Sequence, residues 1–228
     1  MNSQKGYLLS YIKYGENDAV LHCFTEEDGF QSYFLKGVYS KKNKKKALLL
    51  PLNQLNFSIN SAKGNSIQSV SRFELVRNND MYTDIKANTV VFFISDLLNQ
   101  ILRHENKNPG IFLSIDEFID ELTQNNYQSH LIFLIRILKI QGVAPLINEG
   151  NYLDPETGTF SHSLTHQLFT EEISYIWKNI LLSESPYQIK IQPKIRKNFL
   201  DSLLVYYHYH ITDFKIPPSL EVIQQIFE

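Results

Sequence analysis

The chain has almost no cysteine. Cys23 stands alone among 228 residues, which excludes an internal disulfide and any cysteine-based zinc site. Set between alternating apolar neighbours, it reads as a small core residue, and a lone thiol suits a reducing compartment. Long apolar runs are missing as well. None approaches the roughly 20 residues that span a bilayer, and the opening Met-Asn-Ser-Gln-Lys-Gly lacks the apolar stretch of a signal peptide. The expected location is cytoplasmic, with no membrane contact. Net charge is nearly absent, 22 Lys+Arg against 24 Asp+Glu for −2, so this is no generically basic protein.

Catalytic signatures are absent too. No phosphate-binding P-loop, dinucleotide-binding Gly-x-Gly-x-x-Gly, Gly-x-Ser-x-Gly nucleophile elbow or His-Glu-x-x-His helix occurs. His162 and His166 sit four apart, but no other Cys or His lies close by in sequence, so no metal is expected. His208 and His210 alternate with tyrosines near a helix end, where they pack or meet the helix dipole. Asp116, Glu117, Asp120 and Glu121 form a contiguous carboxylate stripe, the pattern of a solvated helix face. No catalytic residue and no cofactor is assigned.

What the chain does have is one block of charge. Ser40 to Lys46 reads Ser-Lys-Lys-Asn-Lys-Lys-Lys, and with Lys36 six lysines fall within eleven residues. Clustered ammonium groups repel one another and add nothing to a core. They become useful against a polyanion, whose counterions they release on binding. The plainer alternative is a solvated loop that protects a sheet edge. The overall balance hides this block. Residues 1–80 carry 11 Lys+Arg against 7 Asp+Glu, a net of +4; residues 81–228 carry 11 against 17, a net of −6. Such asymmetry points to nucleic-acid or membrane contact by the basic part, and to two domains, 1–80 and 81–228.

The periodicity changes at the same place. The first 80 residues predict five short strands, at 6–12, 18–24, 30–36, 48–59 and 67–76, with Glu26-Glu27-Asp28-Gly29 as a hairpin turn and Pro51 marking a bulge or edge. Five strands with turn-rich connections suggest a small barrel such as an OB-fold; a sandwich half or an SH3-like barrel fits almost as well. After Asp80 the spacing becomes helical. Helices are predicted over 87–104, 114–123, 129–141, 168–183, 194–212 and 219–227. The third is apolar almost all round and belongs at the centre of a bundle. Residues 143–166 read as an irregular loop. The fold class is α+β, a barrel followed by a helical domain.

Nucleic-acid features concentrate in the barrel. Single strands are held by a basic groove plus aromatic rings that stack on bases. The cations are Lys13, Lys36, Lys41, Lys42, Lys44, Lys45, Lys46, Lys63, Arg72 and Arg77. The rings are Tyr11, Tyr14, Tyr33, Phe34 and Tyr39, with Tyr39 foremost because it adjoins the lysines. Aromatics in a small barrel more commonly fill its interior. No recognition helix is visible, so binding is expected to be non-specific. On the third helix Arg136 and Lys139 are the only charged residues and share one stripe. They could receive an acidic, apolar peptide, or simply mark the solvent edge.

The order of these pieces resembles the RecO family of recombination mediators. Lys5–Asp18 (Lys-Gly-Tyr-Leu-Leu-Ser-Tyr-Ile-Lys-Tyr-Gly-Glu-Asn-Asp) is similar to the family's opening strand and turn. Phe24–Val38, then lysines and Leu48–Leu52, resembles its next hairpin. Tyr206–Phe214 followed by Ser219–Ile223 resembles its last helices, and Leu153–Phe160 looks like a loop of members from the Bacteroidetes-like branch. The resemblance covers nearly the whole chain. It implies an N-terminal OB-fold, a C-terminal helical domain, and binding of single- and double-stranded DNA. It further implies annealing of complementary strands, partnership with RecR and with the tail of single-strand-binding protein, and through these the loading of RecA. It implies a nucleoid-associated protein that is not an enzyme. Many relatives carry a four-cysteine zinc module after the central helix; residues 143–166 contain no cysteine, so that zinc is not carried over. A protein-interaction scaffold and an RNA-binding OB-fold protein remain as other classes.

Overall fold

The structure is a computed structural model that describes residues 2–41, 43–60, 67–77 and 80–227. Five strands, β1 (Asn2–Tyr14), β2 (Asp18–Thr25), β3 (Gly29–Leu35), β4 (Gln54–Asn60) and β5 (Gln68–Leu75), close into a barrel in the order β1-β2-β3-β5-β4. Neighbours run antiparallel except β3 and β5, which pair in parallel through Tyr33–Gln68, Phe34–Ser69 and Leu35–Val70. A five-stranded barrel closed this way is OB-like, which decides among the three all-β readings. Strand β1 serves two partners, β2 along Gly6–Tyr14 and β4 along Asn2–Tyr7, with a register shift between Leu8 and Ser10. Alternation sends Leu8, Leu21, Cys23, Tyr33, Leu55 and Phe57 into one core.

One local feature departs from expectation, and the expected Glu26–Gly29 hairpin turn shows why its glycine is required. Strand β4 begins at Gln54 rather than Leu48. Pro51 has no N–H to give a ladder, and Leu52 follows in the left-handed region at φ 59°. The turn is instead tied to β1, Leu52 N–H donating to Leu8 O at 2.6 Å and Leu8 N–H to Asn53 O at 3.0 Å. The Tyr82 hydroxyl also donates to Pro51 O. At the Glu26–Gly29 turn, Gly29 adopts φ 69°, and a Cβ there would sit 2.3 Å from the backbone carbon of Asn106. Only glycine fits that approach.

The chain divides into two compact units, Met1–Phe112 and Leu113–Glu228. The first therefore includes α1 (Ile85–Ile101), capped by the Asp84 carboxylate, which accepts from Ala87 N–H at 2.7 Å. It rests on β1, where Ser10 Oγ donates to Asn99 Oδ1 at 3.0 Å. Helix α2 (Pro109–Thr123) leads into the second unit. There α3 (Ser129–Ile140) is buried nearly all round, as its sequence requires. Helices α4 (Glu171–Leu182), α5 (Pro193–His210) and α6 (Leu220–Phe227) complete it. Trp177 of α4 donates to Ser202 Oγ at 3.0 Å and Tyr207 of α5 to Leu134 O at 2.8 Å.

The stretch read as irregular holds a small hairpin, β6 (Tyr152–Asp154) and β7 (Thr159–Ser161). Asp154-Pro155-Glu156-Thr157-Gly158 closes it, with Gly158 at φ 66°. Leu153 and Phe160 face each other and are buried, while Tyr152 is half-buried. Three-residue strands are too short for periodicity to reveal.

Candidate nucleic-acid interface

Gly37, at φ 68°, turns the chain out of β3. Its N–H donates to the Asp18 carboxylate at 2.7 Å, and Tyr39 N–H donates to Asn17 O at 2.9 Å. The connection to β4 is thus pinned on the β1–β2 turn. Asn43 then donates to Gly37 O at 3.1 Å and accepts from Lys45 N–H at 2.9 Å, which starts a 3-10 turn over Lys44–Leu48. Val38 and Leu49 enter the barrel core and leave the lysines between them outside. The lysine block is a built connection with both ends anchored, not a free loop.

Lys36, Lys41, Lys44, Lys45 and Lys46 are all exposed; Lys42 and Lys63 lie outside the described residues. Tyr39 packs half-buried against the core. The Lys46 ammonium lies 5.0 Å and the Lys13 ammonium 5.6 Å from its ring centroid. Partial burial, then the neighbouring Tyr11 hydroxyl that bonds to it, raises the Tyr39 pKa and keeps the phenol neutral. Lys45 is engaged differently. It donates to Phe73 O at 2.9 Å and covers the Phe73 ring at 5.4 Å. Arg72, next to Phe73 on β5, is exposed and pairs with Glu74 at 3.8 Å. Arg77 is half-buried, with Nε and Nη2 out of water. Tyr33 is wholly interior. The structure therefore gathers Lys13, Lys46 and Tyr39 at one end of the barrel, with Lys36, Lys41 and Lys44 exposed on the same connection. Lys13 gains its place from the β1–β2 turn meeting the Gly37 segment, a pairing that spacing alone does not disclose. Chemically, such a field of ammonium groups suits phosphate oxygens and offers no pattern for reading bases.

The second candidate lies in the other unit. Arg136 and Lys139 line a cleft of about 300 Å³ with Ile140, Ile180, Leu181 and Pro186. Arg136 is already paired with Glu117 and lies 5.4 Å from the Tyr187 ring centroid. Lys139 makes only a long bond, 3.4 Å, to Leu181 O. It is the more available cation, while Glu184 on the rim opposes an acidic guest. The α4 side of this cleft was invisible in sequence because it lies some forty residues from α3.

Of the histidines noted in the sequence, His166 and His210 pack, whereas His162 and His208 are exposed. His166 stands edge-on to Phe169 at 5.4 Å, and His210 stacks on Tyr206 at 4.1 Å while bonding Pro155 O at 2.8 Å. Among the described residues no three His, Cys, Asp or Glu side chains come together as a metal site. Nor, among them, is any helix long and apolar enough to cross a membrane.

Comparison with known proteins agrees along the chain. Residues 1–79 match the recombination protein O N-terminal family model and residues 82–154 the C-terminal one. The DNA repair protein RecO of Flavobacterium psychrophilum is 30% identical over 236 residues, covering 98% of each chain. Those of Christiangramia forsetii and Flavobacterium johnsoniae are 28% and 27% identical, again with 98% of both chains covered. An OB-like barrel with an anchored lysine block, a helical unit behind it in sequence and this full-length similarity agree: the chain belongs to the RecO family of DNA repair proteins.

Proposed function

We propose that this protein is a DNA-binding recombination mediator. It holds single- and double-stranded DNA at the lysine-rich end of the barrel and anneals complementary strands. It works with RecR to help load RecA onto single strands coated with single-strand-binding protein, whose acidic, apolar tail enters the Arg136–Lys139 cleft. This chemistry breaks no covalent bond and needs no cofactor, and its place is the cytoplasm, with the nucleoid. The observation that carries the reading is the lysine block itself. Both of its ends are anchored and Lys41, Lys44 and Lys46 are exposed, which is wasteful for solubility alone and effective against phosphates. Arg72 and Arg77 are minor contributors, one paired with Glu74 and the other half-buried.

The test is annealing of two complementary oligonucleotides coated with single-strand-binding protein, followed by strand-end fluorescence. The protein should speed annealing, and Lys41→Glu with Lys44→Glu and Lys46→Glu should abolish the gain. Deleting the tail of the coating protein, or Lys139→Ala here, should reduce it on coated strands but not on naked ones. Equal rates with and without the protein on both substrates would refute the reading.

A further inference from the structure

The carboxylate stripe of α2 is not wholly a solvated face. Glu117 reaches α3, where its Oε2 lies 2.5 Å from Arg136 Nη1. The same guanidinium lies over the Tyr187 ring, 5.4 Å from its centroid. An acid and an aromatic ring thus fix its place. Both charges are partly out of water, the Arg136 side chain being 29% exposed and that of Glu117 51%. The Tyr187 hydroxyl is buried and has no hydrogen-bond partner among the described residues, so the ring meets Arg136 through its face and is held by packing.

Arg136 and Lys139 both line the cleft assigned to an acidic, apolar peptide, yet they are not equally open to it. Lys139 is exposed and donates only to Leu181 O, at 3.4 Å. A guest carboxylate is a stronger acceptor than that neutral carbonyl. Arg136 already has a carboxylate. A guest that reaches it either displaces Glu117, exchanging one ion pair for another, or sits beside Glu117 against a like charge. Neither route gains what a free guanidinium would give. Glu184 on the rim adds to the repulsion.

We propose that Glu117 is an internal competitor. It occupies Arg136 as a guest carboxylate would, and so holds down the affinity of the cleft for acidic peptides. This rests on the reading of the Arg136–Lys139 cleft as a peptide site. It adds a control from outside the cleft wall, since Glu117 belongs to α2 and the wall is built by α3, α4 and the segment after α4. A guest is then held mainly by Lys139 and by the apolar side chains of Ile140, Ile180 and Leu181, and it leaves readily. If Glu117 instead positioned Arg136 for the guest, removing its charge would weaken binding. The two roles therefore predict opposite signs.

Calorimetry on the full chain tests this. The probe is a synthetic peptide of several aspartates that ends in an apolar residue with a free carboxylate. Glu117→Gln keeps the shape of the side chain and removes its charge. It should tighten binding by about two- to fivefold, the range of an exposed ion pair. The gain should vanish when Arg136→Ala is added. A change in overall charge alone would tighten both backgrounds equally, and that result would overturn the proposal. So would unchanged or weaker binding by Glu117→Gln while Lys139→Ala still lowers the affinity; the cleft reading would then stand without the competitor. If neither Lys139→Ala nor Arg136→Ala alters peptide affinity, the cleft reading falls and the proposal falls with it.

Discussion

Lys44, Lys45 and Lys46 follow one another in sequence and do different things. Lys45 donates to Phe73 O and covers its ring, so Lys45→Ala should lower stability by about 1 kcal/mol while hardly changing salt-dependent DNA binding. Lys44→Ala should do the reverse; urea unfolding and a salt titration on each variant check the pair. The lysine run was plain in the sequence, but this division was not, because it depends on β5 arriving beside the 3-10 turn. His130 makes the second residue-scale case. Burial first, then the Arg196 charge, pushes its pKa down to about 4, against the pull of its bond to Tyr127 O. The unfolded chain takes a proton near pH 6.5 that the folded chain refuses. Stability contributed above pH 6.5 is therefore lost as pH falls toward 4, by roughly 3 kcal/mol for a shift of this size. His130→Gln should flatten that part of the pH–stability curve, measured by denaturant unfolding. An identical curve would show that the imidazole is not held neutral.

The β6–β7 hairpin is an element fixed by packing. Lys178 donates to Asn148 O at 2.9 Å and Gly150 O at 2.8 Å, and its ammonium covers Phe160 at 4.6 Å. Ser174 Oγ accepts from Leu153 N–H at 2.9 Å. Tyr206 donates to Val143 O at 2.9 Å. These side chains secure the segment where the family resemblance implies a zinc module in other members. Lys178→Met should cost about 1–2 kcal/mol and speed amide exchange across residues 146–160, while a chelator should leave the melting temperature unchanged. A chelator-induced fall would show a metal in this segment. Which apolar side chains anchor the segment was only partly legible: Leu153 and Phe160 are buried and Tyr152 half-buried, but Leu146, Ile147 and Leu164 of the same stretch are exposed. The hairpin was not legible, since Lys178, Ser174 and Tyr206 come from helices that follow it in the chain. Long helices were legible for the opposite reason. Leu131 to Leu138 leaves almost no polar position, so α3 could only be interior.

At the scale of the whole molecule, local pattern reaches the parts and stops before the assembly. Alternation sorted the strand residues into two faces and turn residues separated the strands, but Tyr33, read among the candidate rings for bases, lies in the interior. Nothing local shows that β3 runs parallel to β5, the pairing that closes the barrel. Nor does it show that the Gly37 connection docks on Asn17 and Asp18, which is what sets the lysines at one end. The central claim is that this lysine-rich end binds DNA through phosphates. The most direct measurement is the dependence of single-strand affinity on salt for wild type and for the Lys41→Glu, Lys44→Glu, Lys46→Glu variant, which spares Lys45 and its bond to Phe73. Each lost phosphate contact removes about 0.7 from the log–log slope. The account predicts a slope shallower by about 2 and weaker binding at low salt. A folded variant with the wild-type slope and affinity would contradict it.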